Sequence, residues 1–133
     1  MKRAVLTLLT AGVAAMLAAP AAGDASNQGK ASLSAGERAF QKCYGCHALN
    51  DTEKWAQGPS LKGIVGRRVA TVQGYDYSPA MRAYAARQPR WTRATLAAFL
   101  TNPEKTVPDN EMGFFGIRNA QERAALIDYL AAH

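Results

Sequence analysis

The 133-residue sequence predicts an all-α fold of about four to five short helices, with long loops wound around a centre that is not itself peptide. Three observations carry this. No segment alternates apolar and polar residues with the period of two that marks a half-buried strand. Each stretch of helical periodicity opens on a capping residue and closes on glycine, proline or a polar break. The intervening stretches 48–72 and 103–118 are irregular, and loops of that length in a small domain need a core supplied from elsewhere.

Cys43-Tyr44-Gly45-Cys46-His47 says what that centre is. C-x-x-C-H is the pattern of covalent c-type haem attachment. On a helix, positions i, i+3 and i+4 share a face, so Cys43 and Cys46 can reach two vinyl groups of one porphyrin while His47 offers a ring nitrogen to its iron. A redox dithiol is the first competing reading, but it does not need the adjacent histidine and usually follows a buried strand, which is missing before Cys43. Zinc is the second, but the only other cysteine or histidine in the chain is His133. A disulfide closing so short a loop would constrain little of the unfolded chain.

At the N-terminus, Met1-Lys2-Arg3 followed by the apolar run Ala4 to Leu17 and the small residues Ala19-Pro20-Ala21-Ala22 reads as a signal peptide over 1–22, cleaved between Ala19 and Ala25. The strongly apolar part is shorter than the roughly 20 residues of a spanning helix, so no membrane insertion is expected once it is removed. Residues 23–33 read as a flexible lead-in, and 34–133 as one domain, whose limited core a covalent haem would supplement. Loss of Lys2 and Arg3 takes the formal charge from +6 to +4. That balance suits acidic protein partners or weak steering. Without basic runs or interleaved aromatics, nucleic-acid binding is not expected.

Along the domain, Ser34-Ala35-Gly36-Glu37 is a capping box opening a helix whose Ala39, Phe40, Cys43 and His47 face the haem. Gly36 inside a helix calls for a reason, and close approach of another helix is the candidate. Pro59 can direct its carbonyl toward the His47 ring nitrogen not bound to iron, with Leu61, Ile64 and Val65 packing on the ring. Ser78-Pro79 caps a short helix to Arg87. Thr92 caps another, with Leu96, Phe99 and Leu100 at helical spacing until Asn102-Pro103 stops it. Asn119 to Glu122 opens a terminal helix with Leu126, Ile127 and Leu130 on its buried stripe. For a second axial ligand the candidates are Met81, Met112 and His133. Met81 on a helix suits a core role, His133 at the chain end suits a frayed, exposed one, and Met112 in a glycine- and proline-rich loop is best placed.

These pieces, in this order, resemble the class I c-type cytochromes, in the subgroup joining mitochondrial cytochrome c and bacterial cytochrome c2. The resemblance runs from Ser34 to Ala132 through Gly36-x-x-x-Phe40, Cys43-x-x-Cys46-His47, Gly58-Pro59-Ser60-Leu61-x-Gly63, Gly66-Arg67, Gly74-Tyr75-x-Tyr77-Ser78-Pro79-Ala80-Met81, Trp91-Thr92, Leu100-x-Asn102-Pro103, Met112-x-Phe114-x-Gly116 and Leu126-Ile127-x-Tyr129-Leu130. It implies the cytochrome c fold, one haem c bound through Cys43 and Cys46, and iron held by His47 and Met112. It further implies that Pro59 accepts from His47, that Tyr77 and Trp91 bond a propionate with Arg67 nearby, and that Gly36 and Phe40 pack on the terminal helix.

Four departures from the family pattern stand out. Phe99 lacks the hydroxyl of the usual tyrosine, which leaves the methionine sulfur more electron-rich, an effect a drier pocket opposes. Asn110 replaces a threonine near a propionate and can still donate there. Glu104 and Glu111 replace lysines of the haem edge, leaving Lys42 and Lys105. About three extra residues before Trp91 should enlarge a surface loop around Arg87 to Arg90. The implied function is a soluble, monomeric, periplasmic monohaem carrier rather than an enzyme. It would pass single electrons among redox proteins such as a terminal oxidase, a quinol-oxidising complex or a periplasmic dehydrogenase. The rivals are a haem sensor or peroxidase-like protein with a labile methionine, and a dedicated electron-accepting subunit of one dehydrogenase.

Overall fold

A computed structural model of the chain describes residues 32–50 and 57–133; the leader and the lead-in up to Ala31 lie outside the described residues. Ser34 opens α1 (Ala35–Phe40). Its hydroxyl accepts from the Glu37 N–H while the Glu37 carboxylate takes the Ser34 N–H, so two otherwise unpartnered helix-end donors are satisfied reciprocally. The helix ends at Phe40, earlier than its apolar periodicity suggested. Lys42 and Cys43 donate to carbonyls three residues back, which tightens the chain into turns. The four-residue ladder then resumes, with the His47 N–H on the Cys43 carbonyl at 2.9 Å. The attachment motif is thus an irregular helical turn rather than a continuation of α1.

Three further helices follow the loop that begins at Gln57. Ser78 caps α2 (Pro79–Arg87), with its hydroxyl accepting from Met81 N–H and proline at the first helical position. Thr92 caps α3 (Arg93–Thr101). Asn102 then ends α3 and caps α4 (Pro103–Thr106), accepting the Lys105 N–H at 2.9 Å. By periodicity alone 103–118 is irregular. The same cap-then-proline pattern seen at Ser78-Pro79 was present in Asn102-Pro103, but a four-residue helix carries no periodicity to support it. The expected loop around Arg87 to Arg90 is also absent. Helix α2 takes in Arg87, and the residues after it pair with the 66–69 segment: Val69 N–H to Pro89 carbonyl, Trp91 N–H to Arg67 carbonyl, Gly66 N–H to Trp91 carbonyl, with one isolated bridge between Arg68 and Arg90. Among the described residues no strand forms.

Helix α5 (Ala120–Ala131) returns across α1. A Cβ on Gly36 would stand 2.5 Å from Tyr129 Cβ and 2.6 Å from the Ala125 carbonyl oxygen, so the glycine is what lets the two helices touch. Phe40 and Tyr129 meet with ring centroids 5.6 Å apart. Leu126, Ile127 and Leu130 are buried from α5, Leu96, Phe99 and Leu100 from α3, and Ile64 and Trp91 from the connecting segments. His133 is exposed but not frayed: its ring lies 4.2 Å from that of Tyr129, and its carbonyl accepts the Gly63 N–H.

Candidate functional site

Between these elements the chain leaves an open cleft of about 1310 Å³, solvent space at its mouth included. All nine residues singled out from the sequence line it: Cys43, Cys46, His47, Pro59, Arg67, Tyr77, Trp91, Asn110 and Met112. They come from six separate stretches of chain, so tertiary packing alone brings them together. His133 is not among the lining residues, whereas Met81 is, buried on the first turn of α2.

On the motif side, Cys43 is half-buried and Cys46 exposed, with no disulfide between them. Burial pushes the Cys43 thiol up to about 11, the neighbouring Cys46 adds to this, and Lys42 opposes it, so at neutral pH it is a neutral thiol. His47 Nδ1 lies 2.7 Å from the Pro59 carbonyl oxygen. A carbonyl can only accept, so the proton sits on Nδ1 and Nε2 keeps its lone pair. Burial lowers the His47 pKa, with the Pro59 bond acting the other way, and the ring is held neutral in the tautomer a metal ligand requires.

Gly58 is a residue whose role the sequence did not disclose. Its N–H bonds the Cys46 carbonyl, and a Cβ there would lie 2.7 Å from His47 Nδ1 and closer still to Cε1. The glycine lets the backbone pass against the imidazole. Arg67 anchors the same loop, donating to the Lys62 carbonyl at 2.7 Å and the Ser60 carbonyl at 2.8 Å. The Tyr77 hydroxyl accepts the Val72 N–H at 3.3 Å, and burial raises its pKa, which leaves a neutral phenol with a proton to give. Trp91 packs between Tyr84 and Phe99 in tilted contacts, with ring centroids at 5.7 and 5.2 Å. Leu61 and Ile64 line the cleft, while Val65 packs on the core beside it.

The Met112 loop is organised by Asn110, in a way the sequence reading did not anticipate. Its amide does not stand ready for a propionate: Nδ2 donates to Glu104 Oε2 at 3.2 Å and to the Val107 carbonyl at 2.9 Å, while Oδ1 accepts the Met112 N–H at 2.8 Å. The loop's far end is anchored where the Ile117 N–H meets the Leu100 carbonyl at 2.7 Å. No buried polar side-chain atom among the described residues lacks a partner, and the cleft presents mainly carbon. Two thiols and an imidazole with a free lone pair on one turn, and a thioether on a pinned loop, all lining one mainly apolar cleft, make a donor set that fits a haem.

The cytochrome c family model matches residues 33–133. The chain belongs to the cytochrome c family. It is 42% identical over 96 residues to cytochrome c type-1 of Ascaris suum, covering 71% of this chain and 82% of that one. To cytochrome c2 of Agrobacterium tumefaciens (strain II Chrys) it is 40% identical over 95 residues, with 71% and 86% covered. Among solved structures, cytochrome cH from Methylobacterium extorquens superposes with a TM-score of 0.67 at 36% identity, over 74% of this chain and 96% of that one. As a cytochrome c, the chain binds haem c covalently and is an electron carrier with redox proteins as partners, not an enzyme. Among the described residues no helix is long and apolar enough to cross a membrane.

Proposed function

We propose that this cytochrome c is a soluble periplasmic carrier, exported by a cleaved leader, that moves single electrons between respiratory or periplasmic partners: a quinol-oxidising complex or a periplasmic dehydrogenase on one side, a terminal oxidase on the other. In this reading Cys43 and Cys46 hold haem c through thioethers, His47 ligates iron through Nε2, and Met112 supplies the second axial ligand. The chemistry a bound haem supplies is a one-electron ferric–ferrous couple, whose potential histidine–methionine ligation raises. Everything else belongs to the polypeptide. Pro59 holds the His47 tautomer, Phe99 and Leu100 exclude water from the cleft, Tyr77 and Trp91 bond a propionate, and Arg67 offsets its charge nearby.

The observation that carries the reading is the His47–Pro59 pair, because a half-buried imidazole with Nδ1–H bonded to a carbonyl is prepared to ligate and not to shuttle protons. Of the two cleft methionines, Met112 is preferred. It sits half-buried on a loop, whereas Met81 is committed to the first turn of α2, its N–H on the Ser78 hydroxyl. The test is Met112→Ala in protein matured with haem. The reduced pyridine haemochrome should still show covalent c-type haem, while the weak methionine-to-ferric-iron charge-transfer band disappears and the ferrous protein gains carbon monoxide binding. A retained band would move the ligand to Met81.

A further inference from the structure

Three separate parts of the fold converge on Asn110. From α2, the Ser78 hydroxyl lies 3.4 Å from the Asn110 carbonyl oxygen. From α4 and the turn after it, Glu104 and the Val107 carbonyl take the amide protons. From its own loop, Met112 places its N–H on the amide oxygen. Glu104 also reaches the preceding residue, its Oε1 accepting the Asp109 N–H at 3.2 Å. Asn110 itself is only 7% exposed.

The backbone explains why such a grip is needed. Asp109 and Glu111, the two neighbours of Asn110, have φ of +61° and +64°. That left-handed region suits glycine and is tolerated by aspartate, but it is unfavourable for glutamate. A residue held there persists only where the surroundings over-determine it. Here the surroundings are the hydrogen bonds to Asn110 and the one from the Asp109 N–H to Glu104, and the residue after Glu111 is Met112.

We propose that Glu104 and Asn110 act as a clamp on the loop, with Asn110 a positioning residue that holds Met112 in its ligating conformation. The inference rests on the reading of Met112 as the second axial ligand. Glu104 acts mostly through the Asn110 amide and also holds the Asp109 N–H directly, so the carboxylate affects the methionine more while the amide is present than after it is gone. Release of the clamp lets the strained 109–111 backbone relax and raises the fraction of protein in which the methionine has left its place.

That fraction can be read with imidazole as a competing ligand on the ferric holoprotein, because apparent affinity scales with the population of the open state. Asn110→Ala should bind imidazole about tenfold more tightly than wild type, equivalent to about 1.4 kcal/mol, with a matching loss of the methionine charge-transfer band at neutral pH. Glu104→Ala should show a smaller tightening, roughly two- to fivefold, and should add less than that in the Asn110→Ala background, where only its bond to the Asp109 N–H is left to lose. Asn110→Asp is the second variant should Asn110→Ala not mature. It keeps the acceptor for the Met112 N–H, sets two carboxylates against each other, and should also tighten imidazole binding. Wild-type imidazole affinity in the Asn110 variants overturns the proposal even if their denaturation midpoints fall, since a merely structural role would lower stability alone. An equal effect of Glu104→Ala with and without Asn110 overturns it as well. Met112→Ala separates the two levels: if that variant keeps the band and wild-type imidazole affinity, the axial assignment has failed and not the clamp.

Discussion

Gly58 approaches the His47 ring so closely that any side chain would have to displace it, with a Cβ falling 2.7 Å from Nδ1. Gly58→Ala should therefore shift the imidazole off the Pro59 carbonyl at a cost of about 1–3 kcal/mol, the range for overpacking. An imidazole without its Nδ1–H acceptor is a poorer electron donor to a metal, so the midpoint potential should rise. Potentiometry together with the hyperfine-shifted proton resonances of the His47 ring checks this; unchanged values in both would mean the ring has not moved. At this scale the sequence was legible where a residue type has few uses. Two cysteines and one adjacent histidine named the attachment chemistry, and proline after glycine suggested a carbonyl for the ring. It was not legible where a residue has many uses. Gly58 read as punctuation, although its contact is with a side chain eleven positions earlier. Asn110 read as a donor to the cofactor, although its partners Glu104 and Val107 become visible only once α4 has folded.

Between elements, the deciding contact is α1 on α5. Replacing Gly36 with alanine should gain up to about 1 kcal/mol of helix propensity. Against this, the new methyl would meet Tyr129 Cβ at 2.5 Å and the Ala125 carbonyl at 2.6 Å. Backbone oxygen cannot swing aside, so the overpacking cost of about 1–3 kcal/mol dominates. A net loss of roughly 1–2 kcal/mol is expected by chemical denaturation of the holoprotein. Gly45→Ala serves as the control, since nothing lies within 4 Å of its added methyl. The helix starts were written plainly in the sequence, because Ser34, Ser78, Thr92 and Asn119 are each followed three residues later by the N–H they cap. Helix ends were harder. The apolar spacing from Ala39 to His47 continued past Phe40 because a turn that bonds three residues back, then four, preserves nearly the same facing. Residues 87–90 are hard to place from sequence for a related reason. Length differences show that chain has been added but not whether it joins a helix or a loop, and here Arg87 extended α2 while Pro89 and Trp91 paired with the 66–69 segment.

For the whole molecule, the open question is what the mouth of the cleft presents to a partner. The net charge of +6 is misleading there. Lys42 lines the mouth, but its ammonium is paired with the Glu122 carboxylate of α5. Glu111 lines the same cleft on an exposed stretch, and its negative charge, after burial, is a cause of the raised pKa of Tyr75. Two large apolar side chains, Phe115 at 95% and Tyr44 at 65% exposure, stand in the two chain segments that frame the site. Such a face has little of one sign to steer with, and contact there falls to carbon and shape. Reversing one charge should then be measurable above a weak background. Glu111→Lys changes the local charge by two units and leaves Asn110 and its bonds in place. At low ionic strength the variant should reduce ferricyanide, an anion, about two- to fivefold faster than wild type, with a cationic oxidant such as tris(phenanthroline)cobalt slowed in proportion. Both differences should fade toward physiological salt, where the Debye length falls to about 8 Å. Stopped-flow rates across an ionic-strength series decide it. Equal rates for the two proteins at low salt would place electron transfer away from this mouth, whereas opposite shifts for the two oxidants locate the exposed edge beside Glu111.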